Sequence, residues 1–140
     1  MKKEYWEHYS HPADMGIRGI GETREQAFCQ AALALTAVIT NPENIEPTEK
    51  IEIECEETDD EQLLFAWLNA LLYEMSSRNM LFGRFDIVLN GDSLRAEIWG
   101  EKINIQKHEP VVEVKAATYA DLKVKQNKQG LWIAQCIVDV

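Results

Sequence analysis

The sequence predicts an α+β fold, a mainly antiparallel sheet with two principal helices packed on one side. Three observations carry that prediction. Two long helical patterns both lie before residue 80, strand-like pieces then follow one another to the last residue, and Asn90-Gly91 between two of them marks a hairpin. With 140 residues the chain suits one domain that buries roughly 70% of its unfolded surface. Residues 1–140 are therefore read as a single domain in two layers, without room for a second.

The elements follow in order. "EYWEHYS" is a first strand, with Tyr5, Glu7 and Tyr9 on one face and Trp6 and His8 on the other. After the turn "SHPAD", "MGIRGIG" supplies a short second strand carrying Ile17 and Ile20. "TREQAFCQAALALTAVIT" opens with Thr23 and Gln26 at capping-box spacing, where each side chain can satisfy a free backbone N–H. Its alanines and leucines suit a mostly buried helix, ended by Asn41-Pro42. "KIEIECEE" alternates strictly, with Ile51, Ile53 and Cys55 toward the core and Glu52, Glu54 and Glu56 toward water.

A second helix covers "TDDEQLLFAWLNALLYEMSSRN", with Asp59, Asp60 and Glu61 at its positive end and Arg78 near its negative end. Leu64, Trp67, Leu68, Leu71, Leu72 and Met75 form its apolar stripe. "RFDIVL" and "SLRAEIWG" flank the hairpin signal, and "VVEVKAATY", "LKVKQ" and "LWIAQCIVDV" are further strands. The last of these keeps its alternation to the final residue, so the terminal carboxylate is expected at a defined place.

Composition narrows the function. The net charge of −10 repels phosphate backbones, which disfavours direct RNA or DNA binding and suits a basic protein partner or a cation. No window approaches the run of about 20 apolar residues a membrane span needs. The start, "MKKEYWEH", has no apolar core of a signal peptide, which predicts a cytoplasmic protein. Cys29, Cys55 and Cys136 form no CxxC pair and no zinc-ligand spacing, and are read as core thiols. Nucleophile elbows, phosphate-cradling glycine loops and HExxH pairs are missing, and His8, His11 and His108 show no metal-ligand spacing.

Two readings stay open at the HPAD turn. In one, Pro12 sets the turn and Asp14 only hydrogen-bonds its own backbone. In the other, Asp14 is a hard oxygen ligand. At the far end of the chain, Asp139 and the α-carboxylate of Val140 offer two more oxygens. If the ends meet, up to three negative charges converge, which is costly unless a cation sits among them. Oxygen donors alone would select Ca²⁺, Mg²⁺ or Mn²⁺ over zinc.

"HPADMGI", "EVKAATY" at 113–119 and the terminal "VDV", in that order and with "WGE" at 99–101, resemble the archease family across nearly the whole chain. The resemblance implies a non-enzymatic accessory protein. It would promote guanylylation and multiple turnover of the GTP-dependent 3′-phosphate/5′-hydroxyl RNA splicing ligase, with a chaperone-like effect on a tRNA methyltransferase also implied. It further implies a divalent metal site, usually calcium, at Asp14, Asp139 and Val140. His11 matches the family turn, where it either braces the turn or meets the partner. Glu113 and Lys115 would share a strand face, either as a plain charge pair or with Lys115 reaching a carboxylate or phosphate on the ligase. Thr118 and Tyr119 are expected to pack or close a turn. One departure stands out: Ala120 occupies a place where many relatives carry histidine. The rival readings are a general chaperone or modulator of tRNA-modifying enzymes with a structural metal, and a metal-dependent phosphate hydrolase.

Overall fold

The computed structural model describes residues 3–12 and 14–140. Strand β1 (Tyr5–His11) turns into β2 (Asp14–Gly21) in a hairpin closed by the pair His11 and Asp14. Helix α1 (Arg24–Ile39) starts at the expected cap: the Thr23 hydroxyl accepts from the Gln26 N–H at 3.1 Å. The Gln26 side chain reaches back one residue further than in the usual box, accepting from the Glu22 N–H at 2.7 Å. After a 3₁₀ turn at Pro42–Asn44 come β3 (Glu49–Glu56) and α2 (Asp60–Arg78). The Asp59 carboxylate caps α2 by accepting from Glu61 and Gln62.

Strand β4 (Met80–Asn90) begins four residues before the expected piece, with an irregularity between Phe82 and Arg84, and pairs with β5 (Ser93–Lys102). The hairpin forms where Asn90-Gly91 predicts it, but one residue on. Asn90 pairs with Ser93, and Gly91 and Asp92 make the loop, Gly91 at φ +61°. A four-residue helix α3 (Ile105–His108) follows, too short to leave a periodic signal. Of the expected strand 111–119 only β6 (Ala116–Ala117) joins a ladder, while 109–115 forms none and touches β8 only where the Lys115 N–H donates to the Asp139 carbonyl. Strands β7 (Lys123–Gln126) and β8 (Trp132–Asp139) complete the chain.

The architecture is α+β with antiparallel pairing throughout, and the strands divide into two sheets. One runs β1-β2-β8, with β7 and β6 sharing the outer edge of β8; the other runs β3-β5-β4. Helix α1 lies across β2 and also packs on β4, so it joins the two sheets. It approaches β2 closely because Gly19 faces it: a Cβ there would stand 2.2 Å from the Ala27 carbonyl oxygen. Phe28 and Leu35 of α1, Leu64, Trp67, Leu68 and Leu71 of α2, and Phe82, Leu94 and Ile98 of the second sheet are wholly buried between them. The Trp67 indole N–H is satisfied by the Phe28 carbonyl at 3.2 Å, as burial of a polar donor requires. Glu52, Glu54 and Glu56 face water as the alternation of β3 predicts.

Candidate functional site

Strands β2 and β8 lie side by side in the first sheet, and their register runs down to Met15 opposite Val138. One step further along each strand stand Asp14, the first residue of β2, and Asp139, the last of β8. Pairing across some hundred and twenty residues of chain is what brings the two carboxylates to one end of one sheet. Cys136 and Val138 face the core with Met15 and Ile17. The two-residue period of a strand therefore turns Asp14 and Asp139 to the opposite face, away from α1. Val140 follows directly and is exposed. The end of β8 is tied down as well: the Lys115 N–H donates to the Asp139 carbonyl at 2.8 Å, and Ala116 registers opposite Asp139. Asp139 is therefore held in place, one residue short of the terminus.

The donor chemistry of this end suits a hard divalent cation. Asp14 and Asp139 offer carboxylate oxygens and the Val140 terminus offers another carboxylate, hard donors of the kind such cations take. Among the described residues neither aspartate pairs with a cationic side chain. Among the described residues, too, no three or more His, Cys, Asp and Glu side chains form a metal-binding group. The chain-end set has only two such side chains, Asp14 and Asp139, its third member being the α-carboxylate of Val140.

The same face carries a polar network that the sequence did not announce. Arg18 of β2 donates to Glu7 at 2.6 Å and to Gln135 at 2.8 Å, and its guanidinium lies 4.3 Å from the centre of the Tyr9 ring. Tyr9 donates to Asp121 at 2.8 Å, and Gln135 donates to the same carboxylate oxygen at 2.9 Å. Asp121 sits at φ +53°, a left-handed backbone that aspartate tolerates better than most residues. The hydrogen bond from Tyr9 lowers the Asp121 carboxyl below its usual range, with Lys123 at 3.2 Å adding to the effect. Burial and the same bond raise the Tyr9 phenol. The only trace in the sequence is the aspartate after Tyr119-Ala120, a residue type at home in αL turns.

A model of the archease protein family (MTH1598/TM1083) matches residues 6–140. This chain belongs to that family. The archease proteins of Pyrococcus furiosus and Sulfolobus acidocaldarius are 45% and 40% identical to it, each comparison covering 96% of this chain and 98% of the relative. The solution structure of Methanobacterium thermoautotrophicum protein 1598 superposes with a TM-score of 0.79 at 30% identity, over 96% of this chain and 98% of that one. A Thermotoga maritima archease, described as a possible chaperone, superposes at 0.64 with 20% identity and shares the fold.

The remaining motif residues of this archease take varied positions. The His11 side chain lies outside the described residues. Glu113 and Lys115 are both exposed, on the extended segment before β6 rather than on a strand, and among the described residues neither joins an ion pair. Their expected cross-strand setting is therefore not formed, because 111–115 joins no ladder. Lys115 instead adjoins the site through its main chain. Thr118 closes a turn, donating to the Ile137 carbonyl at 2.8 Å and accepting from the Ala120 N–H at 3.1 Å. Tyr119 stacks flat on Phe65 of α2 with ring centres 4.1 Å apart. Ala120 is exposed, and its carbonyl accepts from the Ile137 N–H. Burial pushes the Cys29 and Cys136 thiols up to about 12, so both stay protonated and unreactive near neutrality. Among the described residues no helix is long and apolar enough to cross a membrane.

Proposed function

We propose that this archease is a cytoplasmic, non-enzymatic accessory protein of the GTP-dependent 3′-phosphate/5′-hydroxyl RNA splicing ligase. In this reading it promotes guanylylation of the ligase and its repeated turnover, and it holds a divalent cation, with calcium the first choice, at Asp14, Asp139 and Val140. The observation that carries the reading is the β2–β8 register, which leaves Asp14 next to Asp139 at the end of the sheet where the chain also stops. Family membership over residues 6–140 is consistent with the reading, and the ligase itself is the partner that the sequence resemblance implies.

The residues of this chain would do three things. Asp14 and Asp139 would hold the cation on a hairpin and a strand end whose backbones are already hydrogen-bonded, so little order is lost on binding. The Lys115 N–H, by fixing the Asp139 carbonyl, would keep the terminal dipeptide from swinging away. The acidic surface would favour a basic patch on the ligase over its RNA substrate. A bound divalent cation would supply positive charge to phosphate oxygens, the usual service of metals in phosphoryl transfer. A tRNA methyltransferase is a further proposed client.

The test is direct. Purified ligase, labelled GTP and this protein with a free C-terminus are mixed, and label on the ligase is counted. Stimulation by the natural protein and at least a tenfold loss with Asp139→Ala, the two proteins melting alike when no cation is added, is the expected result. Full stimulation by Asp139→Ala would remove the cation from the mechanism. Stimulation that tracks only the folded fraction would favour a chaperone with a structural metal; the Thermotoga maritima archease is described as a possible chaperone.

A further inference from the structure

The C-terminal half of α2 and the extended segment 110–114 enclose a groove of about 510 Å³, separate from the chain-end carboxylates. Its walls are mostly apolar, with Ile39, Leu72, Met75, Met80, Ile103 and Val114 among them, and Ser76 and Asn79 of the α2 end add polar groups. Along its rim Val111 is 76% and Val112 42% exposed, which is unusual for valines. The backbone there is also unfinished. Val111 donates to the Ile39 carbonyl and Lys115 to Asp139. Among the described residues, however, the N–H and C=O groups of Val112, Glu113 and Val114 have no partner within the chain. Extended backbone with free donors and acceptors beside an apolar trough is what strand-adding peptides recognise.

Charge selects the occupant. Glu113 is the one charged residue lining the groove, and among the described residues it pairs with no cation. A second copy would bring another net charge of −10, so self-association works against electrostatics. We infer that this groove takes an extended, apolar segment of a partner protein that carries a lysine or arginine, added as a strand along Val112–Val114. The ladder would supply affinity, the trough would take alternate side chains, and Glu113 would meet the cation. This docking site does not depend on a cation at the chain ends.

A phage-displayed library of random 12-residue peptides, selected on the full chain held through its N-terminus, tests the inference. The expected winners alternate apolar residues and include one Lys or Arg. A synthetic peptide of the winning sequence should shift amide resonances of 111–115 and of 75–79. Val112→Pro should weaken its binding at least tenfold, since the variant removes an N–H the folded chain does not use, and a melting curve checks that it folds. Glu113→Lys should invert the charge preference in a second selection. Winners without this pattern, resonance shifts elsewhere, or unaltered binding to the folded Val112→Pro protein would each overturn the inference. So would sedimentation showing a dimer of this chain that occupies the groove.

Discussion

Single residues hold this molecule together in ways that can be tested one at a time. Gly19 is the sharpest case. A methyl group there would press on helix backbone, at 2.2 Å from the Ala27 oxygen and 2.3 Å from the Ala31 nitrogen, and neither atom can rotate away. Gly19→Ala should therefore cost about 1–3 kcal/mol or more in urea unfolding, because α1 must lift from β2. Glu101 sets part of the acid limit. Burial pushes its carboxyl up, but hydrogen bonds from Lys107, the Glu46 N–H and His108 outweigh this and hold it at about 2, against an ordinary 4.5. A carboxyl depressed by folding stabilises the native state above its unfolded value and loses that contribution as pH falls. Stability should thus decline between pH 4.5 and about 2. Glu101→Gln should be less stable than the natural protein at pH 7, and the gap should close across that window in denaturation curves. His108 is wholly enclosed at this contact: its Nδ1 accepts from the Asn104 N–H at 2.9 Å, so its Nε2 carries the proton toward Glu101.

Elements are joined by side chains that imitate backbone. Asn69, midway along α2, donates to the Ala117 carbonyl at 3.2 Å and accepts from the Ala117 N–H at 3.0 Å. It pairs with β6 as a neighbouring strand would, and so closes one edge of the first sheet. Asn69→Ala should leave both groups of Ala117 without their partner and destabilise the protein by about 1–3 kcal/mol. The check is amide exchange, with protection lost at Ala117 before it is lost in β8. Asn69→Asp should fall between, since a carboxylate still accepts from the N–H but cannot donate to the carbonyl. The 110–114 segment lacks such a clasp, and its free backbone is the difference between a protected edge and an open one.

At the scale of the whole molecule, the first sheet gathers both ends of the chain. A ligand that binds only this folded arrangement stabilises it by mass action, by about 2.7 kcal/mol at a hundredfold excess over Kd. Calcium should accordingly raise the melting temperature of the natural protein, and a chelator should reverse the shift. Asp14→Asn and Asp139→Asn should each abolish the response. An equal rise in all three proteins would mean that the ion binds elsewhere. Extending the chain past Val140 should act like the substitutions, because a peptide bond would replace the free carboxylate.

Much of this protein was legible without coordinates, and the reason is locality. The Thr23 cap, the apolar stripe from Leu64 to Met75, the alternation of β3 and the turn near Asn90-Gly91 all act within a few residues, so each signal sits beside the structure it makes. The family motifs were legible too, and the family they indicate is the one the chain belongs to. Other features arise only when distant segments meet. The strands split into two sheets, 111–115 stayed outside any ladder despite its strand-like pattern, and Asn69 clasped β6. Arg18, Tyr9, Gln135 and Asp121 formed one network. A strand's pattern states which face is apolar and never names its neighbour. Pairing is decided by competition among edges for hydrogen bonds and buried area, and that competition is settled only in the folded chain.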